Sequence, residues 1–135
     1  MGLDIIKKVK RKETDYFRFN WTGARSFQEW NSKNKFPNPF YGWGGGNDGD
    51  KIDFSKPTHV KAVKDWIKAF EDKFPKDSKM GIGETMREIM FRVQDSNKSE
   101  PYHKKEYLEW DRNTALAWYW FLKDGIERKA KIYFY

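Results

Sequence analysis

Tyr16-Phe17-Arg18-Phe19-Asn20-Trp21 alternates apolar and polar side chains along its length. Strict alternation is the pattern of a half-buried β-strand, because successive side chains leave opposite faces of the pleat. Phe17, Phe19 and Trp21 are expected on one face, with Tyr16, Arg18 and Asn20 on the other. Upstream, Leu3 to Val9 is a short apolar run before its lysines, and the polar link from Lys10 to Asp15 lets the two segments pair as a hairpin. At the other end, Lys131-Ile132-Tyr133-Phe134-Tyr135 reads as a closing strand.

Helical signals fill the space between. Ser26-Phe27-Gln28-Glu29 has capping-box spacing, which predicts a short helix through Trp30 with Ser26 as N-cap. From Asn31 to Lys56, Pro37, Pro39, Gly42, Gly44-Gly45-Gly46 and Gly49 predict a long irregular loop, with Phe36, Phe40, Tyr41 and Trp43 anchoring parts of it. Val60, Val63, Trp66, Ile67, Phe70 and Phe74 then recur at helical spacing until Pro75 stops the run. Ile82, Met86, Ile89, Met90 and Val93 make a second stripe. Ala115 to Leu122 is apolar nearly all round and predicts a buried central helix, capped by Asp111 or Asn113 at its start and by Gly125 at its end. The order β-β-α-loop-α-α-α-β indicates one α+β domain, residues 1–135, with a small, mostly antiparallel sheet joining both terminal strands.

Composition bounds the chemistry. The 135 residues carry 27 Lys and Arg against 20 Asp and Glu, a net charge of +7. Residues 1–40 hold nine of the basic and four of the acidic side chains, so most of the excess sits at the front. The low mean hydropathy and 35% charged residues alone would suggest disorder. Eleven Phe, seven Tyr and seven Trp reverse that expectation, since each aromatic can remove ~150–250 Å² from water. With no cysteine, disulfide scaffolds, thiolate metal sites and cysteine nucleophiles are excluded. No apolar run approaches the ~20 residues of a membrane-spanning helix. In the opening residues the charges follow the apolar stretch, the reverse of a secretory signal, so a soluble intracellular protein is expected.

Met1-Gly2-Leu3-Asp4-Ile5, a basic stretch, then Asp15-Tyr16-Phe17-Arg18 and Trp21 resembles small phage and prophage accessory proteins that begin Met-Gly-(Met/Leu)-Asp-Val-Tyr. Asn47-Asp48-Gly49-Asp50 and Phe121-Leu122-Lys123-Asp124-Gly125 are similar to short words in the middle and at the end of those proteins. The chain departs from them at Ile6 and in lacking their cysteine pairs. The resemblance implies a phage-accessory origin and the cytoplasm of an infected bacterial host, and it supplies no catalytic residues.

The motifs argue for binding more than for catalysis. The glycine run lacks the Lys-Ser/Thr of a phosphate loop, since Gly49 leads into Asp50-Lys51-Ile52. Counting back from Gly49, an EF-hand would need ligands at Gly44 and Gly46, so no complete metal site is expected. Only His59 and His103 offer imidazole chemistry, and both read as solvated side chains. No serine has the context of a nucleophile. No catalytic residue, cofactor or metal is therefore expected.

What remains is cations interleaved with aromatics. Arginine and lysine neutralise phosphates, and rings stack on bases. The candidate ligand-binding residues are Arg18, Asn20, Arg25, Trp43, Tyr102, His103 and Lys104. The other reading of the same pattern is a core of rings edged by cation stems. Three functions follow as expectations. The first is a non-enzymatic counter-defence protein that binds a nucleotide signal or nucleic acid. The second is a protein-binding inhibitor, anti-CRISPR-like, docking on an acidic or nucleic-acid-binding surface of a host defence nuclease. The third is a metal-assisted phosphoesterase using Asp48, Asp50 and His103.

Overall fold

The computed structural model describes residues 2–41, 50–78 and 104–135. Strand β1 (Gly2–Val9) turns into β2 (Lys12–Asn20), followed by helix α1 (Trp21–Lys33) and strand β3 (Asp50–Asp53). Helices α2 (Pro57–Lys73), α3 (Pro75–Ser78) and α4 (Lys104–Glu127) precede strand β4 (Lys131–Phe134). The sheet order is β2-β1-β4-β3 and every pairing is antiparallel. The protein is a small α+β domain whose first and last strands lie side by side, with Ile5 opposite Phe134.

The hairpin turn is shorter than the sequence suggests. Lys10 and Arg11 alone make it, both with positive φ (51° and 69°). This two-residue turn matches the right-handed twist of the strands, although lysine and arginine are poor residues for it. A register shift after Lys7 leaves Thr14 as the extra residue of a bulge, with Lys7 opposite Asp15 and Lys8 opposite Glu13.

Alternation along β2 places Phe17 and Phe19 in the core, but it stops at Asn20. The Asn20 side chain accepts the Gly23 N–H at 2.6 Å and caps α1. Trp21 therefore opens a helix and remains 45% exposed, instead of joining Phe17 and Phe19. Ser26 is then an interior residue of α1, not its cap, and its hydroxyl donates to the Asp111 carboxylate at 3.0 and 3.2 Å. The helix also runs past Trp30 to Lys33, into the stretch expected to be irregular.

The same stretch gives up four more residues to β3. Phe36 and Phe40 anchor its first part to the core, and the Pro39 carbonyl accepts the Trp118 indole N–H at 3.0 Å. Residues 42–49, including Trp43 and the glycine run, lie outside the described residues, as does the stripe from Ile82 to Val93.

Helix α2 begins with Pro57, whose missing N–H costs nothing in the first turn. It buries Val63, Trp66, Ile67 and Phe70 and ends before Pro75, as its periodicity predicts. Helix α4 begins at Lys104, well before the expected caps, so Asp111 is buried within it. Its residues Ala115 to Leu122 are all buried, in keeping with an apolar surface all round. Gly125 is no cap either. A Cβ there would stand 2.6 Å from the Phe54 ring, so glycine permits that close approach. The helix closes one turn later. Lys129 (φ 51°) donates to the Ile126 carbonyl and Ala130 to that of Gly125, a Schellman motif with lysine at the left-handed position.

The core lies between the helices and one face of the sheet, and aromatic rings dominate it. Phe17 packs on Phe19 (4.9 Å between centroids) and edge-on to Trp118 (5.6 Å). Phe40 meets the same indole at 5.5 Å, and Phe70 stacks on Tyr119 at 4.9 Å. Offset and edge-to-face pairs of this kind add to the area they bury.

Candidate functional site

Among the described residues the helices pack on one face of the sheet, and the side chains of the opposite face form a surface of their own. Strand register orders that surface into rows. Ile6 has Tyr16 on one side and Tyr133 on the other, and Tyr133 is followed by Lys51. The row above holds Arg18, Asp4 and Tyr135, with Asp4 and Tyr135 joined through both backbone groups at 2.8 and 3.1 Å. The row below holds Glu13, Lys8, Lys131 and Asp53.

Three tyrosines mark this face. Tyr16 and Tyr135 are 40% and 43% exposed, and Tyr133 is half-buried. Tyr133 and Tyr135 stack with centroids 6.2 Å apart. Lys8 and Lys51 hold their ammonium groups over the Tyr133 ring, 5.1 and 5.9 Å from its centroid. Lys51 and Lys131 are exposed.

The carboxylates among these cations are mostly engaged. Asp4 Oδ1 accepts from the Tyr16 hydroxyl and from Arg18 at 2.8 Å. Partial burial first, and the acceptor Asp4 second, push the Tyr16 phenol above its ordinary value, so it stays a neutral donor. Asp53 accepts from the Ser55 hydroxyl at 2.6 Å and its backbone N–H at 2.9 Å, and these bonds hold its carboxyl below the usual range.

The candidate residues from sequence divide sharply. Arg18 is on this face, exposed, and paired with Asp4. Asn20 ends β2 with its side-chain oxygen committed to capping α1. Arg25 is exposed but belongs to α1, in the helix layer. Lys104 is the first residue of α4, and Trp43, Tyr102 and His103 lie outside the described residues. The structure thus gathers Arg18 with residues that sequence reasoning passed over: Asp4, Lys8, Tyr16, Lys51, Lys131, Tyr133 and Tyr135. One signal was available. In the closing segment Ile132 and Phe134 alternate with Tyr133 and Tyr135, which assigns the tyrosines to the face away from the core.

Two other constellations have different roles. Lys7 is fully buried, with Nζ 2.9 Å from Asp124 and 3.6 Å from Asp15, and 4.1 Å from the Phe121 ring centroid. Arg128 closes the group on Asp124 at 3.1 Å and Asp15 at 3.7 Å. Burial pulls the Lys7 ammonium below its ordinary value, against the attraction of both carboxylates. Burial also works to raise Asp124, but Lys7 and Arg128 outweigh it and hold that carboxyl low. With no solvent access, Lys7 ties β1 to α4 and has no route to a ligand. Between α2 and α4 an open groove of about 570 Å³ has Ile67 and Ile126 on its floor and Lys64, Lys68, Glu71 and Lys123 on its walls. Glu71 and Lys123 are both hydrogen-bonded to the Tyr119 hydroxyl, at 3.0 and 3.2 Å.

His59 is held as well, contrary to the expectation of a solvated imidazole. Its Nδ1 accepts the Asp53 N–H at 3.0 Å and its ring meets Tyr41 edge-on. Among the described residues no group of three or more His, Asp or Glu could hold a metal ion, and no helix is long and apolar enough to cross a membrane. No family model, curated protein or solved structure matches the chain.

Proposed function

We propose that the sheet face turned away from the described helices binds single-stranded nucleic acid, without catalysis. The observation that carries this reading is the crosswise row Tyr16, Ile6, Tyr133 and Lys51, flanked by Arg18, Tyr135, Lys8 and Lys131. Tyr16 and Tyr133 stand two strands apart, roughly 10 Å at ~4.8 Å per strand. Rings so placed on a four-stranded sheet can each take a separate unstacked base. Stacking tolerates any base, because every base has a π-face, and a base that takes the place of the Lys8 and Lys51 ammonium groups over Tyr133 frees these long side chains to swing to the phosphates. A duplex hides its base faces and gains only the electrostatic part. The resemblance of the chain's ends to phage accessory proteins supports placing this activity in counter-defence inside an infected host.

Fluorescence anisotropy with a labelled twelve-nucleotide RNA, single-stranded and duplex, tests the reading. Tyr133→Ala should weaken single-strand binding by about 5- to 150-fold, equivalent to ~1–3 kcal/mol of lost stacking. It should barely change duplex binding. A variant that melts like the parent and binds the single strand equally well would overturn the assignment, as would absence of binding by the parent at low salt.

A further inference from the structure

A carboxylate in the middle of a phosphate-binding face is a liability unless it has a separate task. Asp4 is such a group. It lies between Arg18 and Tyr135 and diagonally beside Tyr16, with its side chain 33% exposed. Its Oδ1 is held by two donors from β2, the Tyr16 hydroxyl and the Arg18 guanidinium, while Oδ2 has no partner among the described residues. Two donors on one oxygen fix the rotation of the carboxylate and leave the second oxygen presented beside the stacking rings.

We propose that Asp4 is a specificity-determining residue that accepts hydrogen bonds from the edge of a base stacked on Tyr16 or Tyr135, and so favours guanine over uracil. The proposal rests on the sheet face being the binding surface. An ionised carboxylate only accepts hydrogen bonds, so it rewards edges that carry donors. Guanine offers a ring N–H beside an amino group, two donors on one edge. Cytosine and adenine each offer one amino group there. Uracil offers a single N–H flanked by two carbonyl oxygens, which would face the carboxylate and be repelled. Because Tyr16 and Arg18 already hold Asp4 in place, little further ordering is needed when the base arrives. Arg18 also offsets the charge of Asp4, so a phosphate close by is not driven away.

The test uses two fluorescein-labelled RNAs, ten uridines and the same chain with three guanines at its centre. The parent should bind the guanine-bearing RNA about tenfold more tightly, the scale of a hydrogen bond to a charged acceptor. Asp4→Asn should reduce that preference to about twofold or less, because an amide presents a donor as well as an acceptor. Its affinity for the uridine RNA should rise as the negative charge is removed. The parent's own preference needs no variant, so it remains informative if Asp4→Asn melts early. Equal binding of both RNAs by the parent, with Tyr133→Ala weakening both, would overturn the role of Asp4 and leave the sheet face standing. A folded Asp4→Asn that keeps the full preference would also overturn it. Absence of binding to both RNAs at low salt would overturn both proposals.

Discussion

Two buried ionisable side chains, Asp111 and Lys7, each tie the stability of the fold to pH. Asp111 is 5% exposed, and burial pushes its carboxyl up to about 6, with Ser26 opposing and Glu29 assisting. The native state therefore holds a proton that the unfolded chain has already lost between about pH 4 and 6. Stability falls as pH rises through that window, by about 3 kcal/mol at ~1.4 kcal/mol per unit, and the loss is complete above pH 6. Asp111→Asn should raise the melting temperature at pH 7.5 by several degrees and flatten the profile between pH 4 and 6. Thermal melts across that range check both effects. Lys7 has the opposite requirement, a counter-charge. Asp124→Asn leaves it with Asp15 at 3.6 Å and should cost about 3 kcal/mol at pH 7. Since burial lowers the Lys7 value, the penalty should shrink as pH rises and the amine is neutralised. A penalty independent of pH between 7 and 10, read from urea unfolding, would contradict this account. The sequence offered Asp111 only as a helix cap and did not mark Lys7 at all, because burial of a charge depends on partners at remote positions such as Asp124 for Lys7.

Elements were legible where their signal is periodic and illegible where it depends on a single residue's backbone. The stripe from Val60 to Phe74 and the apolar run from Ala115 to Leu122 each placed a helix and its buried face. Helix ends went astray because several residues compete to cap them. Asn20 caps α1 ahead of Ser26, and Lys129 takes the left-handed position for which Gly125 is the better residue type. The turn at Lys10 and Arg11 was hidden for the same reason, as neither residue favours positive φ. That misfit is correctable. The double substitution Lys10→Asn with Arg11→Gly supplies the residue types that this turn prefers. It should stabilise the domain by about 1 kcal/mol, readable in the urea midpoint. No gain would mean that the flanking strands already absorb the strain.

For the whole molecule, the α+β class and the joining of the terminal strands followed from alternation at both ends. The sheet's order did not, because β3 is only four residues inside a stretch dense in glycine and proline. The candidate site was legible only through Arg18. The remaining residues come together by register across β1, β2, β3 and β4, which no local pattern records. Integrity of the whole converges on Trp118, whose ring meets Phe17, Phe19, Phe40 and Phe121 and whose N–H holds Pro39. Trp118→Ala should cost ~3–5 kcal/mol, a large part of the ~5–15 kcal/mol available to such a domain. A near-neutral result in denaturant unfolding would mean that this indole is not a structural centre.

The position of β4 also governs how the sheet comes apart. Among the described residues strand β3 pairs with β4 alone, and β4 in turn reaches β1, whereas β1 and β2 are joined through a two-residue turn. When β4 detaches, β3 loses its ladder to β4, while the hairpin keeps its own. In hydrogen–deuterium exchange the ladder amides of β3 can therefore be protected no longer than β4 remains docked, and the amides shared by β1 and β2 are placed to be the last to exchange.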